Sequence, residues 1–209
     1  MRFSAESIDR LRESVMSGMS EYRFTHTAEV EKMVLRLGEL YAPDKLDLLR
    51  AAALLHDVTK EYPTEKHAEM LRCAGESIGE LELLSYKTLH ARSAVVEIKE
   101  KYPEFADEEL LLAVRYHTTG RADMSLCEML IYLADYIDES RKFEDCVRLR
   151  SYFWDANPEQ MSREDREKHL LSTLLLSFDL TLMSLLVEGA PVSEDSVSAR
   201  NSIIVQLKK

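Results

Sequence analysis

A chain of 209 residues, 45% hydrophobic and 31% charged, is long enough to bury one substantial core and has an ordinary globular composition. Its formal net charge of −11 argues against binding nucleic acid through a basic face, although a small anionic substrate stays open to it if metal ions dominate the local field. The 3 cysteines form no CxxC pair, the N-terminus is not of signal-peptide type and no stretch approaches about 20 apolar residues. We therefore expect a reduced, cytoplasmic protein without a membrane segment.

The first predicted helices are recognised by their apolar spacing. One helix is predicted over residues 5–19, and a second from Thr25, with His26 in its first turn. Asp44 is the expected N-cap of a third helix, which runs from residue 46 to about 58.

The end of the third predicted helix is apolar on every side, through Ala51-Ala52-Ala53-Leu54-Leu55. A helix without a polar face is buried, so His56 and Asp57 are expected deep in the molecule. Because a buried carboxylate beside an imidazole is costly, this pair needs a compensating cation.

The remaining pattern is also helical. Helices are predicted over residues 66–73, 85–101 with His90, 107–117 with Asp107 as its cap, about 126–137 with Asp135, 163–188, and, more briefly, 197–207. Gly120 ends the helix that carries His117. No strand pattern or internal repeat is visible. The predicted fold class is all-α: a helical bundle over residues 1–160, with a C-terminal helical extension over residues 161–209 packed on it.

Some side chains along these helices are of the types that bind divalent metal ions: His26, His56, Asp57, His90, His117 and Asp135. Six ligands are more than one ion with open water positions needs, which favours two ions sharing a carboxylate. Each candidate has a structural alternative: Asp135 can face solvent or cap a helix, and His90 and His117 can each be hydrogen-bonded core histidines. His67 and His169 have charged neighbours in sequence and are expected to be solvated.

The order of these residues resembles the HD superfamily of metal-dependent phosphohydrolases, and more closely its YqeK-type branch of symmetrical diadenosine tetraphosphate hydrolases. His56-Asp57 is weak evidence alone, whereas His117-Thr118-Thr119-Gly120 followed by Ala134-Asp135-Tyr136-Ile137 is specific. Further matching segments are residues 23–26, 51–60, 89–91, 124–125, 141 and 199–201. The resemblance covers about residues 20–205, and residues 85–88 and 138–140 depart from the family pattern. It implies an all-α HD-domain bundle.

Ligand chemistry and the resemblance together suggest roles for the six side chains. His26, His56, Asp57 and Asp135 would hold a first ion, and Asp57 would bridge to a second ion that His90 and His117 complete. The ligand types suit iron, manganese or zinc alike, and the resemblance implies iron.

Substrate phosphates require cations and hydrogen-bond donors beside the metals. Lys60 is the first candidate and, with Asp57, the expected catalytic residue. Further substrate contacts are expected from Arg23, Arg141 and the segment His117-Thr118-Thr119-Gly120, with surface charge as the alternative for each arginine. The aromatic side chains that can stack on a base, or simply fill the core, are Tyr116, Tyr132, Tyr136 and Phe143.

The expected reaction is attack of a hydroxide, bridged by two ions, on a β phosphorus of diadenosine tetraphosphate to give two ADP. The substrate is implied by the resemblance alone. Alternatives are another HD-type nucleotide phosphohydrolase, such as a nucleotidase or phosphodiesterase, a non-catalytic nucleotide-sensing metal protein, and a helical interaction module. The leucine-rich segment over residues 170–186 can cover the core or contact a second copy, and the resemblance implies a homodimer.

Overall fold

The computed structural model describes residues 2–85 and 88–209, and in this part of the chain all regular structure is helical. The all-α fold class is therefore confirmed. The helices are α1 (Ala5–Gly18), α2 (Glu21–Tyr41), α3 (Leu46–Leu55), α4 (Thr64–Cys73), α5 (Glu80–Leu84), α6 (Leu89–Lys101), α7 (Glu108–Tyr116), α8 (Leu126–Ile137), α9 (Glu144–Trp154), α10 (Arg163–Glu188) and α11 (Glu194–Leu207).

Helices α1, α2 and α3 pack around a buried ion-pair cluster as well as an apolar core. Glu31 of α2 is buried, and its carboxylate accepts hydrogen bonds from Arg12 of α1 and Arg50 of α3. The distance from Nε of Arg50 is 3.0 Å. A buried carboxylate is stable only when its oxygens are satisfied. The cluster therefore ties α1 to α2, which carries His26, and to α3, which leads to His56.

The starts of α2 and α3 differ from the predicted ones. Ser20 caps α2, because its hydroxyl accepts a hydrogen bond from the backbone N–H of Arg23 at 3.2 Å, and so His26 lies in the second turn of the helix. Asp44 does not cap α3, since it lies within the 3-10 turn Pro43–Lys45. Asp47 of α3 instead accepts from backbone N–H groups near the N-terminus, including that of Phe3 at 2.7 Å.

Two helices are absent from the sequence prediction, and one starts later than expected. Helix α5 follows Gly79 in a stretch that had no clear pattern, and α9 buries Cys146, Leu149 and Phe153 beneath a charged surface. Helix α6 begins at Leu89, and residues 86 and 87 lie outside the part of the chain that the structure describes.

Helix α10 has the predicted bounds and covers α8, where Phe178 stacks on Tyr132 with ring centroids 4.6 Å apart. By length and composition α10 is apolar enough to cross a membrane, and 28% of its most apolar window is buried. The expectation that no stretch is apolar enough is therefore wrong for this helix. A core helix of a globular protein meets the same criterion.

Gly120, after α7, is the position where an added methyl group would cost most. Its φ is +63°, and a Cβ atom there would lie 2.5 Å from Cζ of Phe178 and 3.0 Å from Cβ of Ala199. We expect Gly120→Ala to lower the free energy of unfolding by about 2–4 kcal/mol, since left-handed strain and overpacking add. Urea denaturation followed by circular dichroism measures this change.

Substitutions at two other glycines distinguish the cost of left-handed strain from the cost of overpacking. Gly75 also has a positive φ, of +78°, but open space around it, whereas Gly18 has neither constraint. Gly75→Ala should cost about 1 kcal/mol from strain alone, and Gly18→Ala should change stability by less than about 0.5 kcal/mol. Equal losses at Gly75 and Gly120 would show that the contact with Phe178 contributes nothing.

Candidate metal centre

The six predicted ligands lie on five helices or helix ends that meet in the middle of the bundle. His26 projects from α2, His56 and Asp57 follow the C-terminus of α3, His90 lies in the first turn of α6, His117 follows α7, and Asp135 lies in the last turn of α8. All four histidines and Asp57 are buried, and Asp135 is half-buried. The structure thus brings together every side chain that the sequence singles out as a ligand.

Asp57 stands between two pairs of histidines and turns one oxygen to each pair. Its Oδ2 atom lies 3.7 Å from Nε2 of His26 and 3.6 Å from Nε2 of His56. Its Oδ1 atom lies 3.1 Å from Nε2 of His90 and 3.6 Å from Nε2 of His117. This is the arrangement that a carboxylate needs to bridge two ions.

Asp135 completes the first of these two groups. Its Oδ1 atom lies 3.0 Å from Nε2 of His26 and 3.8 Å from Nε2 of His56. Among the described residues, four overlapping groups are close enough to hold a metal ion: His26, His56 and Asp57; Asp57, His90 and His117; His56, His117 and Asp135; and His26, Asp135 and Asp138. The first two of these groups share Asp57.

Hydrogen bonds hold two of the histidines in the form that binds metal. Nδ1–H of His56 donates to the carbonyl of Ala53 at 2.6 Å, and Nδ1–H of His117 donates to the carbonyl of Val114 at 2.7 Å. In the neutral ring each Nε2 atom then carries a lone pair directed at the centre. The residue three positions before each histidine thus fixes its tautomer.

The charges of the centre also fit a cation. Burial lowers the pKa of His56 and that of His90 to about 4, so both rings are neutral at physiological pH. Burial raises the pKa of Asp57, but neighbouring histidines and Lys60 outweigh this and hold it well below its usual range. Nε2 of His56 is buried and has no hydrogen-bond partner among the residues that the structure describes. A buried lone pair facing carboxylates is stable when a cation lies between them, so these residues fit divalent metal ions.

Asp138 and Ser140, which the sequence interpretation did not select, lie behind His26. The Oδ2 atom of buried Asp138 lies 3.4 Å from Nδ1 of His26, and the Ser140 hydroxyl lies 3.2 Å from the same nitrogen. A carboxylate behind a metal-binding histidine orients its ring and raises its basicity. The signal in the sequence was a departure from the family pattern at residues 138–140.

Three cations that the sequence analysis selected as substrate contacts lie around the centre. Lys60 Nζ lies 3.0 Å from Nε2 of His90 and 3.9 Å from Oδ1 of Asp57. Arg23 contacts Oδ2 of Asp57 at 2.7 Å, and Arg141 contacts Oδ1 of Asp135 at 2.5 Å. Each of these three cations therefore lies against a carboxylate of the candidate metal centre.

The segment after His117 contributes less to the centre than predicted. Thr118 faces it, with Oγ1 3.4 Å from Nε2 of His90. Thr119 instead donates to the carbonyl of Gly120 and lines a separate cavity with Arg92 and Arg115. The Gly120 N–H donates a hydrogen bond to the carbonyl of Tyr116 at 2.8 Å, and this bond closes the end of α7. The structure thus does not bring Thr119 or the Gly120 N–H to the metal centre.

The other two histidines are not solvated, contrary to expectation. His67 is 4% exposed and its Nδ1 atom lies 2.7 Å from the hydroxyl of Ser93. His169 is half-buried, donates to the carbonyl of Phe153 at 3.0 Å and stacks on the Phe153 ring. Both face a neighbouring helix, although their neighbours in sequence are charged.

The all-α bundle and its histidine–aspartate centre place this chain in the class of helical proteins that bind divalent metal ions. The HD domain family matches residues 23–140, more than half of the 209 residues, and the chain belongs to this family. The resemblance that the motifs indicate is therefore confirmed.

The chain is also similar to proteins of known name along most of its length. It is 29% identical over 192 residues to the symmetrical bis(5'-nucleosyl)-tetraphosphatase of Halalkalibacterium halodurans, covering 91% of this chain and 93% of that one. It is 33% identical over 139 residues to the enzyme of the same name from Staphylococcus aureus, covering 65% and 68%. A solved structure of a predicted HD superfamily hydrolase involved in NAD metabolism, from Clostridium acetobutylicum, superposes with a TM-score of 0.80 at 29% identity, covering 95% and 97%.

Proposed function

We propose that this protein is a metal-dependent hydrolase that cleaves diadenosine tetraphosphate symmetrically into two ADP. The observation that carries the proposal is the position of Asp57, whose two oxygens face two separate pairs of histidines. The names of the relatives in Halalkalibacterium halodurans and Staphylococcus aureus support the substrate.

We propose that the six ligands hold two divalent ions. These ions would be iron, with manganese or zinc as alternatives. His26, His56, Asp57 and Asp135 would hold one ion, and Asp57, His90 and His117 the other. When bound, such ions lower the pKa of a water molecule and polarise a phosphoryl oxygen.

The chain's own residues would position the substrate and balance its charge. Lys60 and Thr118 stand beside His90 on the side of the second ligand set, where a phosphate oxygen can be held. Arg141, which contacts Asp135, would bind a neighbouring phosphate. Water adds to a β phosphorus, the bond from that phosphorus to the central bridging oxygen breaks, and the second ADP leaves with that oxygen.

The test is product analysis with metal-loaded protein and diadenosine tetraphosphate in water enriched in oxygen-18. We expect ADP as the only product, with one heavy oxygen on the β phosphate of one of each two ADP molecules formed. ATP with AMP would mean that another phosphorus is attacked. Absence of turnover would contradict the proposal, and mononucleotides and cyclic nucleotides would then be tried, followed by a binding assay for a non-catalytic sensor.

We further propose that the enzyme works in the cytoplasm, which the unpaired cysteines Cys73, Cys127 and Cys146 support. A division into a catalytic domain over residues 1–160 and a C-terminal extension over residues 161–209 is part of the same proposal. The exposed end of α10, with Met183, Leu186 and Val187, suits contact with a second copy. No role in binding nucleic acid or membranes is proposed, and the net charge of −11 supports the first of these exclusions.

A further inference from the structure

A cavity of about 410 Å³ opens directly on the metal centre. One side of it is formed by groups of that centre, namely Lys60, His117, Asp135 and Arg141. Other lining residues are Phe143, the start of α9 and the second half of α10. Its volume is within the range of ligand pockets, which is about 300–1,000 Å³. A substrate whose phosphates lie on the metals would therefore extend into this cavity.

Among the described residues that line this cavity, Phe143 has the most exposed aromatic ring. It is 72% exposed, although a large apolar side chain is normally buried. Tyr132 also lines the cavity, but its ring is buried and stacked on Phe178. Tyr116 lies under Arg115, outside this cavity. Tyr136 also lines the cavity, but it is half-buried on α8.

The position of Phe143 relative to the phosphate-binding groups suits one nucleoside. It is two residues beyond Arg141, and its backbone is extended, with φ −62° and ψ 142°. Two residues of chain span at most about 7 Å, so the backbones of Arg141 and Phe143 are no further apart than the scale of one nucleotide from its phosphate to its base. An exposed aromatic face at this distance is suited to stacking on a base.

Asp145 supplies a hydrogen-bond acceptor in the same cavity. It is half-buried in the first turn of α9 and makes no hydrogen bond or ion pair within the described residues. A carboxylate accepts hydrogen bonds but donates none when ionised. It therefore selects a ring edge that presents an N–H group, such as the amino group of adenine.

We propose that Phe143 and Asp145 form the nucleobase subsite, with Phe143 stacked on the base and Asp145 accepting a hydrogen bond from its amino group. This inference rests on the proposed function, because it takes the substrate to be a dinucleoside polyphosphate. It assigns the α9 side of the cavity to base recognition and the metal side to the phosphates.

The test measures binding to metal-loaded protein by titration calorimetry, with ADP, purine riboside diphosphate and inorganic pyrophosphate as probes. We expect Phe143→Ala to weaken ADP binding by about tenfold, the scale of one base–aromatic stack, and to leave pyrophosphate binding unchanged. Phe143→Tyr should restore ADP binding. Val147→Ala is the matched control, since this side chain is exposed on α9 but outside the cavity.

Asp145 is tested by the amino group that it would recognise. The wild-type protein should bind ADP about tenfold more tightly than purine riboside diphosphate, which lacks that group, and Asp145→Ala should remove this preference. The subsite would be overturned if Phe143→Ala and Asp145→Ala bound ADP as tightly as the wild type does. It would also be overturned if these variants lost pyrophosphate binding as much as ADP binding. Failure of the wild type to cleave diadenosine tetraphosphate would overturn the proposed reaction instead, and the ADP measurements would still decide the subsite.

Discussion

Asp57→Ala should remove the bound metal and reduce hydrolysis of diadenosine tetraphosphate by more than about a hundredfold. Loss of a partner behind a metal ligand already costs about 10–100-fold, and Asp57 is proposed to bind both ions directly. Metal content by mass spectrometry and kcat on the same preparation measure the two effects. Both should fall together.

The fold should survive this substitution. Asp57 follows the end of α3, where its backbone carbonyl accepts the N–H of Lys60 at 2.9 Å, and alanine keeps that bond. Circular dichroism should therefore show almost unchanged helicity. Asp44→Ala, at an exposed aspartate in the turn before α3, is the matched control and should keep both metal and activity. Hydrolysis at the wild-type rate by Asp57→Ala would show that the centre is not the active site.

The environment of His67 is an example of what the sequence alone misjudged. His67 has Glu65, Lys66 and Glu69 as neighbours in sequence, which indicates a solvated side chain. In a helix, however, residues one and two positions apart point in different directions. His67 faces Ser93 of α6 while its neighbours face solvent, so its replacement would disturb the fold and it cannot serve as a neutral control.

The convergence of the six candidate ligands was predictable because several independent signals agreed. An apolar helix before His56-Asp57 indicated that this pair is buried. The charged Asp135 stands among apolar neighbours in sequence, which indicated that it needs a partner. The ligands come from helices far apart in sequence, and their convergence followed from the family resemblance. Their division into two sets around Asp57 was also expected from ligand chemistry and the resemblance. Which oxygen of Asp57 faces which pair of rings required coordinates, because helical spacing does not determine it.

Residues 119–120 and 138–140, in the connections after α7 and α8, were the least predictable part of the site. Asp138 follows α8 and turns back to His26, which is 112 positions earlier in the numbering of the chain. Thr119 and Gly120 turn away from the centre because Gly120, with φ +63°, packs against Phe178 of α10. Both outcomes depend on tertiary contacts, which local propensity does not encode.

Lys60 is the cation whose loss should affect the reaction most. Its ammonium group is half-buried, 3.0 Å from Nε2 of His90, on the side of the proposed second ion. Burial lowers its pKa, and Arg23 and Arg141 lower it further, whereas Asp57 and Asp135 oppose this shift. A cation in such a water-poor position stabilises charge that develops on a transferred phosphoryl group far more than one in solvent.

We expect Lys60→Met to lower kcat by about 10²–10³-fold, the range found when one donor to a developing oxyanion is removed, while metal content stays close to two ions per chain. Lys60→Arg should recover part of the activity, because it restores the charge with a different shape. Lys32→Met, which removes an exposed lysine paired with Glu29, is the control and should be silent. Loss of metal from Lys60→Met, or a kcat within about threefold of wild type, would show that Lys60 supports the ligands and does not act on the phosphate.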